Sequence, residues 1–286
     1  VQKIEVGPKH SAIVTDDGDL YVWGDAQYGK LGLGVGCSKT VETPTKVPFF
    51  AKHGIKVKDV VLEANHTIVL DTEGRVYTFG RGSYFSNFFL KLLFSKYVAL
   101  GHPDSQNVFA PKVVEALRDK VVSQIATGKQ FASALDSNNE YYVWGRGEFG
   151  VFGFENKEVA EPITNPVMSE ICKEFRTPIK KIMSCNDFSS VLFEDGVLRS
   201  FGNNNQGNMA LGELLGFDFY EAINLPSPVV WNSGEEELIE DFDLGERTMV
   251  VRTKSGRLYV AGMKLYFNPT LVPIDYDKHR VRTFGA

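Results

Sequence analysis

Few residues in this chain have the type and spacing to do chemistry by themselves. His10 and His66 occupy one place in a repeating segment, and the same place elsewhere holds Phe131, Phe188 and Thr248. A position that accepts phenylalanine is a packing position, so neither histidine reads as a metal ligand or a general base. Cys37, Cys172 and Cys185 are far apart and odd in number. They form no CxxC pair and no Cys/His zinc spacing, and read as small apolar fillers in a reducing, intracellular setting. Gly29-Lys30-Leu31-Gly32-Leu33-Gly34 is glycine-rich but lies in a repeated turn rather than between a strand and a helix. No P-loop, HExxH or GxSxG motif is present. The expectation is no catalytic residue, no metal and no cofactor.

What remains are aromatic clusters in long loops, and one acid. From Phe85, the residues Phe88, Phe89, Leu92 and Leu93 follow at offsets of 3, 4, 7 and 8, the spacing of an amphipathic helix. Leu90 and Phe94 widen its apolar face. Such a helix either packs over its own fold or offers a patch to a partner groove or subunit. Peripheral membrane contact is a third use, weakened by the lack of flanking basic residues. A second loop, Glu213 to Trp231, carries Phe217, Phe219 and Tyr220, and leads into Glu235-Glu236-Glu237 and Glu240-Asp241. That acidic run reads as a solvated face, or as a dock for a basic partner. In Cys185-Asn186-Asp187-Phe188, Asp187 stands one residue before the histidine column, where a turn would present its carboxylate on a rim.

The scaffold for these loops follows from periodicity. The triads Val22-Trp23-Gly24, Thr78-Phe79-Gly80, Val143-Trp144-Gly145, Ser200-Phe201-Gly202 and Val260-Ala261-Gly262 end on glycines 56, 65, 57 and 60 residues apart. Six residues before each final glycine lie Gly18, Gly74, Asn139, Gly196 and Gly256, all types that tolerate the positive φ of a tight hairpin. Apolar runs such as Thr67-Ile68-Val69-Leu70 precede that turn, and runs such as Leu20-Tyr21-Val22-Trp23 follow it. A further strand begins at a proline in each copy: Pro44, Pro111, Pro162, Pro228 and Pro269. Proline lacks the ladder N–H and suits an outer edge strand. Each repeat therefore predicts four short antiparallel strands, one blade of an all-β propeller.

Five repeats are legible, over about 3–60, 61–124, 125–181, 182–241 and 242–280, with an insertion at 83–99 in the second. Residues 281–286 resemble the opening strand of a sixth. A blade buries its faces only against neighbours, so further blades, for a total near seven, are expected outside this chain. The start on Val1, inside a strand-like run, points the same way. The whole reads as one propeller domain of a larger protein. With 43% hydrophobic and 23% charged residues and a net charge of −5, the composition is that of a globular protein. It has no basic stripe, which argues against direct nucleic-acid binding. No apolar run reaches 18 residues, so no transmembrane span is expected.

The repeats resemble those of the regulator-of-chromosome-condensation family. The first copy is the fullest match: Gly7-Pro8-Lys9-His10-Ser11, Leu20-Tyr21-Val22-Trp23-Gly24, Tyr28-Gly29-Lys30-Leu31-Gly32-Leu33-Gly34 and Pro44-Thr45-Lys46-Val47. The third keeps Trp144-Gly145-Arg146-Gly147 and Phe149-Gly150-Val151-Phe152-Gly153, and the fourth keeps Asn205-Gln206-Gly207-Asn208 and Leu211-Gly212. Members of that family include an exchange factor for the GTPase Ran, domains of ubiquitin ligases, and ciliary, mitochondrial and signalling scaffolds. The resemblance implies a non-catalytic binding platform for a protein partner or a multi-subunit assembly. The first alternative is a guanine-nucleotide exchange factor for a small Ran-like GTPase, with Asp187 as its acid. The second is a substrate-recruiting domain of a ubiquitin ligase. A cytoplasmic site at cytoskeleton or cilium is expected ahead of nucleus or mitochondrion. The variable segments lie between each Trp/Phe-Gly triad and its proline, at glycine-to-proline distances of 20, 31, 17, 26 and 7 residues. Loops of that kind on a constant scaffold are where binding is expected.

Overall fold

A computed structural model describes residues 1–37, 39–82, 99–104, 106–154, 162–169, 171–204, 207–212, 222–231, 237–262 and 268–274. Each repeat folds as one four-stranded antiparallel sheet with its strands in sequence order. The first blade is β1 (Lys3–Val6), β2 (His10–Val14), β3 (Leu20–Gly24) and β4 (Val41–Lys46). The second is β5 (Val57–Leu62), β6 (His66–Asp71), β7 (Val76–Gly80) and β8 (Val108–Val113). The third is β9 (Val122–Thr127), β10 (Phe131–Asp136), β11 (Tyr141–Gly145) and β12 (Ile163–Met168). The fourth is β13 (Ile179–Cys185), β14 (Phe188–Phe193), β15 (Leu198–Asn203) and β16 (Ala222–Pro228). The fifth is β17 (Ile239–Gly245), β18 (Thr248–Thr253), β19 (Leu258–Gly262) and β20 (Asn268–Pro273). These are five four-stranded blades of an all-β propeller, one for each repeat that the periodicity predicts in this chain.

The chain forms two compact units. One comprises residues 1–146 and 161–168, the other 147–160 and 169–286. The first holds three blades, and the second holds two together with the loop that interrupts the third.

Register explains the landmark columns. Gly24 pairs with His10, Gly80 with His66 and Gly145 with Phe131. At Gly80, φ is +125°, and a Cβ would stand 2.5 Å from the Asn65 carbonyl oxygen and 2.6 Å from the His66 Cα. No side chain fits there, which is why the column is glycine throughout. The other turn column has positive φ in every copy: Gly18 76°, Gly74 83°, Asn139 63°, Gly196 86° and Gly256 86°. The hairpin differs in length from the two-residue turn expected. Thr15 N donates to Asp19 O and Gly18 N to Thr15 O, so Asp16-Asp17-Gly18 is a three-residue loop with the glycine as its bulge.

The outer strands correct the proline column. In the first blade the register shifts between Val22↔Thr45 and Gly24↔Val41, and Pro44 lies inside that bulge rather than at the strand's first residue. The equivalent bulge residues are Pro111, Pro166 and Pro226, not Pro162 and Pro228, since β12 and β16 carry the same shift. A bulge on an edge strand asks no ladder N–H of its extra residues, so proline is tolerated there. In the fifth blade Pro269 lies inside the bulge as well, but the place that matches Pro44 is held by Leu271. Its N–H is used: it donates to Val230 O at 2.8 Å, and Trp231 forms a parallel bridge with Leu271.

Blades are joined by a repeated seat. Eight residues after each column glycine, the chain turns at Gly32 (φ 65°) and Gly153 (φ 64°), and Gly101 (φ 71°) resumes that turn after the insertion. A Cβ on Gly32 would meet the Phe79 ring at 2.9 Å, on Gly101 the Trp144 Nε1 at 3.1 Å, and on Gly153 the Phe201 ring at 3.4 Å. Each glycine thus seats the Trp or Phe of the following blade, and Phe79, Trp144 and Phe201 are wholly buried. Burying such a ring contributes about 2 kcal/mol or more. The fourth-to-fifth seat is built from two alanines. Ala210 (φ 55°) stands where the others have glycine, Ala261 stands where they have an aromatic, and both are wholly buried in one apolar cluster. The residues matching Leu31-Gly32 are therefore Met209-Ala210, not the Leu211-Gly212 that the motif suggests.

Side-chain hydrogen bonds tie the first strands of neighbouring blades together. Gln2 Nε2 donates to Lys58 O, and Lys58 Nζ to Ser123 O, both at 3.3 Å. Lys3 pairs with Asp59 at 2.5 Å. In the second unit Lys180 Nζ donates to Glu240 O at 2.7 Å and Lys181 pairs with Asp241 at 2.7 Å.

Candidate interaction face

At one end of each of the first four blades two short elements meet: the two-residue hairpin tip between its first and second strands, and the segment that follows the column glycine. A single backbone bond holds them. Asp25 N donates to Lys9 O (3.0 Å), Arg81 N to Asn65 O (2.8 Å), Arg146 N to Gln130 O (2.9 Å) and Asn203 N to Asp187 O (2.9 Å). The bond needs only the carbonyl of the tip residue, so residue type can vary there, and the column reads Lys9, Asn65, Gln130, Asp187, Arg247. Asp187 is thus in a tight turn, as the sequence suggests, half-buried and after Asn186 with φ 51°. It is one member of a column of chemically diverse tips, which single-residue reasoning missed. The signal was legible in the sequence: no two copies carry the same residue there.

The two histidines are packing residues with one polar tie each. His10 Nε2 lies 2.7 Å from Thr67 Oγ1, and His66 Nε2 lies 2.7 Å from Thr127 Oγ1. Thr67 donates its proton to Lys30 O, so His10 Nε2 is the donor in its pair. Burial lowers the pKa of His10 to about 3, with the Lys30 charge adding to the effect, and that of His66 to about 4. Both are neutral and their Nδ1 atoms have no protein partner. Among the described residues no group of three or more His, Cys, Asp or Glu side chains could hold a metal ion. Cys37 is a free thiol, and Cys37 and Cys185 are each partly buried against the apolar cluster of their unit.

The insertion of the second repeat leaves from this end, and its feet are fixed. Gly82 N donates to Asn107 Oδ1 at 3.0 Å, Trp144 Nε1 to Ala99 O at 2.8 Å and Thr78 Oγ1 to Leu100 O at 2.6 Å. Ala99, Leu100 and His102 are buried. Phe85, Phe88, Phe89, Leu92, Leu93 and Phe94 lie outside the described residues, as do Phe217, Phe219, Tyr220, Glu235, Glu236 and residues 281–286. Beside the first foot, the Arg81 guanidinium stacks over the Tyr28 ring at 4.7 Å, and Lys30 Nζ stands 5.9 Å from the same ring. Lys30 is wholly buried and pairs with Asp25 at 2.7 Å. Burial holds its pKa below the usual lysine value and the Asp25 bond opposes that shift, while the nearby charges of Lys9 and Arg81 add to it.

Comparison with known proteins gives the same architecture an ancestry. The family model described as "Regulator of chromosome condensation (RCC1) repeat" matches residues 17–70, and a second model with that description matches residues 1–30. The ultraviolet-B receptor UVR8 of Arabidopsis thaliana is 36% identical over 156 residues, 54% of this chain and 32% of that protein. The secretion-regulating guanine nucleotide exchange factor of Bos taurus is 26% identical over 273 residues, 93% of this chain and 53% of that protein. The chain therefore spans about half the length, or less, of these curated relatives. The crystal structure of Prp20p from Saccharomyces cerevisiae, whose title refers to its binding to Gsp1p and histones, superposes with a TM-score of 0.74. It is 19% identical and the match covers 99% of this chain and 67% of that one, a likeness of fold. Family models, repeat motifs and four-stranded blades agree that the chain carries RCC1 repeats and folds as a β-propeller of that kind.

Proposed function

We propose that the chain is a non-catalytic protein-interaction scaffold, a propeller domain or subunit of a larger assembly. It engages its partner through the loops at the hairpin-tip end. The observation that supports this most is the division of labour at the tips. A recurring backbone bond carries the structure, and the side chains above it differ in every blade. Different side chains carried on one recurring backbone bond are the kind of variation on a constant scaffold that partner recognition uses. Replacing Phe88, Phe89 and Leu92 in the insertion with serine tests the reading. The triple variant is expected to lose its partner on co-purification while its thermal unfolding is unchanged. Loss of folding instead would make those side chains part of the fold's own cover.

A second reading has two points in its favour: Asp187 lies in a tight hairpin turn, and a relative matching 93% of the chain is named as an exchange factor. An exchange factor of this kind would act by preferring the nucleotide-free state of its GTPase. Release of labelled GDP from Ran-like GTPases separates the two. Acceleration that Asp187→Asn removes favours exchange; no acceleration from any of them leaves the scaffold.

A further inference from the structure

The charges of the first unit are sorted by end. At the hairpin-tip end its described connections carry six cations, Lys9, Lys30, Lys39, Arg81, Lys129 and Arg146, against three acids, Asp25, Glu63 and Asp104. At the other end the segments 15–19, 47–56, 71–75, 114–121 and 136–140 carry nine acids against five Lys and Arg. The excess is thus reversed between the ends, in a chain whose net charge is −5. The cations are held in place from below. Lys9 and Lys129 are exposed on their tips, Arg146 Nη1 donates to Gln130 Oε1 at 3.3 Å, and Arg81 and Lys30 share the Tyr28 ring. Lys30 pairs with its own carboxylate, Asp25, at 2.7 Å. Asp104 is taken by Lys112, which lies on β8 at 3.0 Å. Glu63 Oε2 accepts from the Ala64 N–H, in its own hairpin.

Resting on the scaffold reading, we propose that this end of the first unit recognises an acidic polypeptide segment, with Lys9, Arg81, Lys129 and Arg146 as its cationic contacts. The occupant is a short run of carboxylates rather than a nucleic acid. Surface charges are screened beyond about 8 Å at physiological salt, so a short acidic strand feels the tip cations. A long polyanion lying across the molecule also meets the acidic surplus of the remaining chain. The positions with most leverage are Lys9 and Lys129, exposed side chains on tips whose fixed bond is made by the backbone.

Fluorescence anisotropy of a labelled oligoglutamate peptide against the full chain tests the proposal, at about 0.05 M and about 0.15 M salt. The wild-type protein is expected to bind, and more weakly at the higher salt. Lys9→Glu with Lys129→Glu is expected to weaken binding at least about tenfold, because two attractive contacts become repulsive. Lys52→Glu with Lys56→Glu, at the opposite end, is expected to stay within about twofold of wild type. The proposal is overturned if the wild type does not bind, if both double variants lose binding equally, or if a DNA duplex competes as well as the peptide at equal charge. Any of these, with the partner still lost in the serine variant of the insertion, removes the charge assignment and leaves the scaffold standing.

Discussion

Replacing Trp144 with phenylalanine tests the inter-blade seat at its most informative point. Thr67 Oγ1 grips Lys30 O at 2.7 Å, a bond from the second residue of one blade's second strand to the seat of the blade before. Ser189 Oγ makes the same contact with Val151 O, at 3.5 Å. In the third blade that strand position is Ala132, which has no hydroxyl, and the Trp144 indole N–H reaches the equivalent carbonyl, Ala99 O, at 2.8 Å. Phenylalanine fits this column, as Phe79 and Phe201 show, so Trp144→Phe removes a donor more than it removes packing. Ala99 and Trp144 are both essentially inaccessible to water. A buried carbonyl left unpaired costs about 1–3 kcal/mol. Taking about 2 kcal/mol, the melting temperature should fall by about 4–8 °C, read by calorimetry or near-ultraviolet circular dichroism. Adding Ala132→Ser to the Trp144→Phe variant restores the hydroxyl of the other blades and should recover about half of that loss. In the wild-type background the same serine should be neutral or harmful, since the acceptor is already taken. The reasoning fails if Trp144→Phe leaves the melting temperature unchanged, or if Ala132→Ser acts alike in both backgrounds.

Two more outcomes follow from buried polar groups and from the edge of the fifth blade. His10, His66 and His102 have folded pKa values lowered to about 3, 4 and 4, with burial the largest cause in each case. The unfolded chain binds these protons near pH 6.5. The three groups therefore favour the fold fully above about pH 6.5, and that contribution is lost as pH falls toward 4. Denaturant midpoints measured from pH 7 to pH 4 should decline, and His66→Phe, which copies Phe131 and Phe188, should flatten the decline; an unaltered slope would contradict this. Leu271→Pro imposes on the fifth blade the proline of the other four, removing the N–H that Val230 O accepts. The segment carrying Trp231, which packs edge-on against Tyr259 at 4.8 Å, should loosen, giving red-shifted tryptophan emission and lower stability. Unchanged emission would show that the bridge does not hold Trp231.

The period of 56 to 65 residues, the strands and the two positive-φ columns were determined by the sequence alone, because local backbone requirements write themselves into residue type. Gly80 tolerates no Cβ, and Gly18 closes a bulged hairpin, so both columns are visible as glycine before any contact is known. The proline column was only half legible. Pro44, Pro111 and Pro269 lie in the bulge, but Pro162 and Pro228 are near misses, since register is set by pairing with the neighbouring strand. Contacts between blades were decided by the tertiary structure. Ala210 opposite Ala261 replaces glycine opposite an aromatic, an exchange invisible until two segments some fifty residues apart in sequence are in one seat. The sorting of charge between the ends of the first unit belongs there too. Composition records a single net charge, whereas alternating connections of antiparallel strands send successive loops to opposite ends, and only that geometry separates six cations from nine acids.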